Sequence, residues 1–150
     1  MTQGKEPEKD IARDFDKFGI VSHSKETKIA AFVEALYRGK VLHTRCRRCG
    51  TAYSPPQAGC SHCLAEDMEW REIDGAGDLL SFTTIYYGPA GFEDETPYTV
   101  GLARFGEGVN VLAMFRKSIP ESELSVGMKV RVVPVSIPPD KVFYELIKAE

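Results

Sequence analysis

The sequence has little of several features that would define a function by themselves. Its longest apolar runs are too short to span a bilayer, and its formal charge of −3 gives no overall attraction to a polyanion. It has no Gly-x-Ser-x-Gly, no glycine loop of the phosphate-binding kind and no dinucleotide fingerprint. We therefore expect no membrane span, no generic nucleic-acid binding and no catalysis by this chain alone.

Cysteine is also scarce, but its four copies are regularly placed. They form two pairs of equal spacing, Cys46-Arg-Arg-Cys49 and Cys60-Ser-His-Cys63. A C-x-x-C turn brings two sulfurs to one side of a tight loop, and two such loops facing each other supply the four thiolates of a tetrahedral metal site. The spacing predicts a structural zinc ion with no open coordination position and no cysteine left for catalysis.

Other uses of these cysteines are disulfides, a redox pair or iron. The first ten residues are charged and polar and do not look like a secretory signal, so we expect a reducing, cytoplasmic compartment that disfavours disulfides. A thioredoxin-like redox role needs one such motif at a strand–helix junction, whereas this chain has two. Iron stays open, because four thiolates suit iron as well as zinc.

The remaining sequence predicts helices first and strands afterwards. Residues 11–18 carry a short helical pattern ended by Gly19, and a second helix, capped by Ser24, has one apolar face before Gly39. We interpret the second apolar face as packing on this chain and leave the first as either packing or a partner-docking arm. That face comprises Ile29, Phe32, Val33, Leu36 and Tyr37.

Strand patterns dominate the second half. They cover residues 78–87, 98–105, 109–115, 129–135 and 142–147, with one helical turn at 120–124. We predict a mainly β protein with N-terminal α-helices, in which a zinc ribbon is followed by a five-stranded OB-fold barrel; a plain five-stranded sandwich is the alternative. The predicted division is 1–40 for the tail and helices, 41–72 for the ribbon and 73–150 for the barrel.

An ordered set of motifs resembles the DUF35 family over about residues 25–148. The motifs are Leu42-x3-Cys46-x2-Cys49-Gly50, Pro55-Pro56, Cys60-x2-Cys63, Trp70, Gly75-x-Gly77, Ser81-Phe82-Thr83, Pro97-Tyr98, Gly106-Glu-Gly108 and Gly127-Met-x-Val130. The resemblance implies a rubredoxin-like ribbon and a C-terminal OB-fold. Gln57 departs from the pattern, because this family often has an arginine after the paired prolines.

The resemblance also implies a function beside coenzyme A chemistry. Proteins of this family assemble with thiolase-superfamily enzymes, so the expected role is a non-catalytic subunit of a thiolase-type acyltransferase that cleaves or condenses a β-ketoacyl-CoA. The expected partner is a thiolase-like catalytic subunit in a hetero-oligomer, for which a heterotetramer is a natural guess. Zinc is the expected structural ion, and coenzyme A or acyl-CoA is the expected shared ligand.

A coenzyme A groove needs cations and an apolar floor. The candidates are Arg45, Arg47, Arg48, Tyr86, Tyr87 and Lys117, together with Arg116 beside Lys117 and Phe92 beside the tyrosines. The arginines are equally well explained as solvated surface charges or as contacts to an acidic patch on a partner. The tyrosines are equally well explained by ordinary packing in the barrel. A nucleic-acid-binding ribbon and OB module is the alternative function, since both folds serve it, but the acidic balance argues against it.

Overall fold

The computed structural model describes residues 27–139 and 141–150. Its first element is α1, Ala30–Tyr37, which ends before Gly39 with φ of +81° at that glycine. The second helix predicted from the sequence is thus confirmed and shorter than its apolar pattern. Its predicted cap, Ser24, and the predicted first helix at 11–18 lie outside the described residues.

A three-stranded antiparallel sheet follows the helix. It consists of β1 (Leu42–Cys46), β2 (Ala52–Tyr53) and β3 (Met68–Glu72), in the order β2-β1-β3. The register of β1 and β3 runs from Leu42 opposite Glu72 to Cys46 opposite Met68. The first metal-binding loop therefore begins at the end of β1.

A five-stranded antiparallel sheet forms the second half. Its strands are β4 (Gly77–Ile85), β5 (Tyr98–Arg104), β6 (Asn110–Met114), β7 (Lys129–Ile137) and β8 (Lys141–Lys148), in the order β6-β5-β4-β7-β8. Phe115 forms a parallel bridge to Leu146, and the Arg116 N–H donates to the Leu146 carbonyl at 3.0 Å. This bridge joins the two outer strands, so the sheet closes into the expected OB-fold barrel. The turn predicted before β7 is a 3-10 helix, Glu121–Glu123.

Side-chain alternation explains how the barrel fills. Along β6, exposed and buried residues alternate, as expected of a strand with one face on a core. The largest fully buried side chains of the barrel include Leu79 and Leu146. Opposite them, Gly101 of β5 leaves a gap that the Phe115 ring fills, since a Cβ at Gly101 would lie 2.5 Å from the Phe115 Cε2 atom.

The helix and the ribbon share this core with the barrel. Leu36 of α1, Val41 before β1 and Ile73 after β3 belong to the same hydrophobic cluster as Leu79 and the other buried barrel residues, which we call the shared core. The Phe32 ring also meets the Tyr144 ring of β8 edge-on, with centroids 5.8 Å apart. The apolar face of α1 packs on this chain, as interpreted from the sequence. The division at 40/41 and 72/73 stays a prediction.

Candidate metal centre and barrel groove

The two cysteine loops are built on one plan. The carbonyl of Cys46 accepts from the Gly50 N–H at 2.9 Å, and the carbonyl of Cys60 accepts from the Leu64 N–H at 3.0 Å. Both accepting loops turn through a left-handed residue, with φ of +79° at Gly50 and +60° at Leu64. In each loop the first cysteine also donates its N–H to the carbonyl five positions later. The repeated pattern aims both pairs of thiols in the same way.

The four sulfurs converge on one point. All the Sγ atoms of Cys46, Cys49, Cys60 and Cys63 lie within 4.8 Å of one another, and two pairs, Cys46–Cys63 and Cys49–Cys60, are 3.5 Å apart. A tetrahedral zinc ion with Zn–S distances of about 2.3 Å requires sulfurs about 3.8 Å apart. The cysteines therefore fit a tetrahedral four-thiolate ion, and they leave it no open position.

Neighbouring hydroxyls support the thiolate form of two ligands. A hydrogen bond from Thr51, whose Oγ1 is 3.2 Å from the Cys49 Sγ, lowers the pKa of Cys49 to about 5. The Tyr53 hydroxyl, 3.2 Å from the Cys60 Sγ, likewise lowers the pKa of Cys60. Neither Thr51 nor Tyr53 was singled out from the sequence; their place directly after a C-x-x-C pair was the available signal.

Cys63 behaves in the opposite way. A backbone hydrogen bond from Ala65 lowers its pKa, but burial and the neighbouring thiols outweigh it, so that the pKa rises to about 12. Four adjacent thiolates repel one another, and a divalent cation removes that conflict by stabilising all four. The donor set thus calls for a metal ion.

The three candidate arginines of the ribbon, one at the end of β1 and two in the first loop, have different surroundings. Arg45 donates from Nε to the Gly50 carbonyl at 3.1 Å and pairs with Glu107 at 3.3 Å. Arg47 pairs with Asp67 at 3.2 Å in an exposed position. Arg48 is exposed, and no carboxylate in the described part of the chain pairs with it. Arg48 is therefore the most available cation of the three.

Glu107, which the sequence analysis quoted only as the middle of Gly106-Glu-Gly108, is a further residue of this region to which the sequence gave no role. It lies in the turn between β5 and β6 with φ of +63°, and its carboxylate meets three side chains of the ribbon. These are Arg45, Arg71 and, at 3.9 Å, the buried His43. Burial lowers the pKa of His43, while Glu107 acts to raise it. Glu107 thus adds a polar contact between barrel and ribbon to the apolar contact of the shared core.

An open groove of about 390 Å³ lies at the other end of β5. Its lining residues come from four strands, the connection between β4 and β5, and the segment after β6: Thr84, Tyr86, Glu95, Pro97, Tyr98, Thr99, Met114, Phe115, Arg116, Lys117, Ile119, Pro120, Glu121, Phe143 and Glu145. Tyr86 and Lys117 are here, whereas Arg45 meets Glu107 beyond the far end of β5, and Arg47 and Arg48 follow Arg45 in the first cysteine loop. Tyr87 is 95% exposed and is not part of the lining. Apart from Tyr87 and Phe92, the candidate coenzyme A residues therefore lie in two separate places.

Two family models match consecutive parts of the chain. The model for the rubredoxin-like zinc ribbon domain of ChsH2 matches residues 33–69, and the model for the C-terminal OB-fold domain of ChsH2 matches residues 70–135. Curated relatives described as DUF35 domain-containing scaffold proteins match as well.

The chain belongs to the DUF35 family.

Two of those DUF35 relatives are archaeal. The protein from Methanocaldococcus jannaschii is 27% identical over 94 residues, covering 62% of this chain and 66% of its own length. The protein from Pyrococcus furiosus is 33% identical over 79 residues, covering 53% of this chain and 57% of its own length. The match thus spans less than two thirds of either relative.

Two solved structures show the same DUF35 fold. One is an Ltp2-ChsH2(DUF35) aldolase and superposes with a TM-score of 0.66 at 24% identity, covering 83% of this chain and 97% of the matched one. The other is a DUF35 protein of unknown function from Sulfolobus solfataricus, with a TM-score of 0.51 at 23% identity, covering 88% and 92%. Both likenesses concern the fold.

Gln57, which stands where this family often has an arginine, lies in the ribbon. The Gln57 backbone exchanges two hydrogen bonds with the Thr44 hydroxyl, at 2.9 and 3.0 Å, while its side chain is exposed.

No helix among the described residues is both long and apolar enough to cross a membrane.

Proposed function

We propose that this chain is the non-catalytic zinc-ribbon and OB-fold subunit of a thiolase-type acyl-CoA acyltransferase complex. Its role is to stabilise the catalytic subunit and to contribute to acyl-CoA binding. The observation that carries the proposal is membership of the DUF35 family, whose curated relatives are described as scaffold proteins. The Ltp2-ChsH2(DUF35) aldolase, in whose name DUF35 and an aldolase stand together, supports it.

The metal centre agrees with a non-catalytic role. A zinc ion held by Cys46, Cys49, Cys60 and Cys63 has no free position for a substrate or a water molecule. The same coordination uses every thiol of the chain, so no cysteine nucleophile remains. In the proposed complex, the reacting groups therefore belong to the partner. The compartment that we propose for the complex is the cytoplasm.

The first experiment is purification of the tagged full-length chain from its native cell. We expect a stoichiometric thiolase-like companion and an acyl-CoA activity that this chain lacks alone. A variant with Cys60→Ser is the control, because loss of the metal centre removes the rigid ribbon and with it the companion. A chain that purifies alone and binds single-stranded oligonucleotide with a steep salt dependence would instead establish the nucleic-acid alternative.

The second experiment concerns the ribbon cations in that complex. Arg48→Ala, combined with Arg47→Ala, removes the two exposed guanidinium groups of the first loop, and we expect the KM for the acyl-CoA to rise while kcat changes little. The matched control is Arg38→Ala, an exposed arginine just after α1. An unchanged KM would remove these arginines from the proposed acyl-CoA site.

A further inference from the structure

The groove of the barrel is lined by a positively charged side chain, Arg116, that is held in a fixed position. Glu145 of β8 is only 9% exposed, and its Oε1 accepts from the Arg116 Nε at 2.5 Å. A buried carboxylate is costly unless it is paired, so Glu145 holds Arg116 against the groove wall. The backbone adds a second constraint, because the Arg116 N–H donates to Leu146. Arg116 is thereby oriented before any ligand arrives.

The outer edge of that guanidinium is free. Only Nε is used by Glu145, and within residues 27–139 and 141–150 the two terminal nitrogens make no hydrogen bond. Terminal N–H groups held in one plane match the two oxygens of a phosphate or a carboxylate. Lys117, the next residue, also lines the groove and is a member of none of the ion pairs within the same described ranges. Two adjacent cations are thus available for one anion.

The rest of the groove is mainly apolar. Ile119 follows the cations along the chain, and Phe143, two residues before Glu145, belongs with Tyr98 to the same lining set. Small-molecule sites combine such a predominantly hydrophobic wall with a few placed polar groups. The acidic residues Glu95 and Glu121 are on the lining as well, and they oppose a ligand that is anionic along its whole length.

We propose that this groove binds a small ligand with an oxyanion at one end and an apolar body, and that Arg116 and Lys117 bind the oxyanion while Glu145 positions Arg116. The inference rests on the proposed function and extends it, because it gives the acyl-CoA ligand a place on the barrel, apart from the ribbon arginines. The oxyanion is either a phosphate of coenzyme A or the carboxylate of a short-chain acid.

Titration calorimetry of the zinc-loaded full-length chain at low ionic strength tests the proposal. The probes are coenzyme A, butyrate and inorganic phosphate. Binding of coenzyme A alone assigns the oxyanion to phosphate, and binding of butyrate alone assigns it to a carboxylate. No binding of either, or equal affinity for inorganic phosphate and for the probes with an apolar body, overturns the proposal.

Variants locate the site. Removal of Arg116 would leave Glu145 buried without a partner, so Arg116→Lys is preferred because it keeps the charge and loses the planar pair of donors. We expect Arg116→Lys and Lys117→Gln each to weaken binding about five- to tenfold. Arg104→Gln, at the opposite end of β5, is the matched control and should leave affinity unchanged. Unchanged affinity in both groove variants overturns the proposal.

The positioning role of Glu145 has its own readout. If Glu145 acts through Arg116, then Glu145→Gln weakens binding in the unmodified chain but adds little in the Arg116→Lys background. Additive losses would refute that role. Purification of the tagged chain from its native cell distinguishes the two proposals. If no thiolase-like partner is found but coenzyme A binds through Arg116, this inference stands and the proposed function is wrong. If the complex forms and Arg116→Lys leaves its affinity for coenzyme A unchanged, the proposed function stands and this inference is wrong.

Discussion

Gly101, near the middle of β5, shows how much of this fold depends on the absence of one side chain. A Cβ there would meet the Phe115 ring at 2.5 Å and the terminal methyl groups of Leu79 and Leu146 at 3.1 Å each. These three side chains belong to the shared core, and Phe115 also makes the bridge that closes the barrel. Because the core is close-packed, there is no space into which the ring can retreat without moving its neighbours.

We therefore expect Gly101→Ala to lower the free energy of unfolding by about 1–3 kcal/mol, the usual cost of overpacking a core. Urea denaturation followed by far-UV circular dichroism measures it. Gly106→Ala is the matched control, because no atom lies within 4 Å of a Cβ at that position. Equal stability of the two variants would show that the barrel accommodates the added methyl group.

At the scale of the element, the ribbon depends on its metal-binding loops more than on its strands. Its edge strand β2 has two residues, and isolated sheets of this size are marginally stable. The loops fix the ends of β1 and place the connection to β3, so the ion that joins them supplies much of the stabilisation. Trp70 of β3, the single tryptophan of the chain, is a natural probe of this sheet.

We expect one zinc ion per chain by elemental analysis, and unfolding of the ribbon when a chelator removes it. Structural zinc contributes roughly 10–16 kcal/mol in zinc-finger peptides at neutral pH, far more than two or three short strands can replace. Trp70 fluorescence and amide exchange of β1 and β3 report the loss. Cys49→Ser should reproduce it without a chelator, and Ser61→Ala, in the second loop, should not. Iron in place of zinc would correct the identity of the metal.

At the scale of the whole molecule, one acidic residue of the barrel meets the basic face of the ribbon. Glu107 contacts Arg45 and Arg71, and it lies 3.9 Å from the His43 ring, which is 2% exposed. Exposed ion pairs contribute little individually, so this cluster serves mainly to set the ribbon against the barrel. His43 senses the arrangement, because its pKa depends on burial and on the charge of Glu107.

We expect the pKa of His43 to lie below its ordinary value of 6.5, and to fall further in Glu107→Gln, since the lost carboxylate was raising it. Nuclear magnetic resonance of the ring protons measures both values. Below about pH 6.5 the His43 ring is protonated in the unfolded chain but stays neutral in the folded chain until a lower pH. The free energy of unfolding therefore decreases as the pH falls through this range. Glu66→Gln, an exposed change in the ribbon, should leave the titration unmoved. A rise of the pKa in Glu107→Gln would refute the contact.

Local patterns predicted most of these elements. The C-x-x-C spacing predicted the thiol cluster, and strand patterns predicted all five barrel strands to within a few residues, because both signals lie in neighbouring positions of the sequence. The pairs Glu107–Arg71 and Arg116–Glu145 join residues 36 and 29 positions apart. Such pairs follow from the closure of the barrel, which no local pattern encodes, and for that reason the sequence named candidate cations such as Arg116 but gave no role to their acidic partners Glu107 and Glu145.

The shared core has a practical consequence for anyone who shortens this protein. Leu36, Val41 and Ile73 sit on one side of any cut made near the start of β4, while the surfaces that cover them sit on the other. A fragment ending there would carry bare hydrocarbon into solvent, and the detached barrel would open a hole where Leu36 had been. Fusions and crystallisation fragments therefore need to keep the stretch from α1 to β8 in one piece.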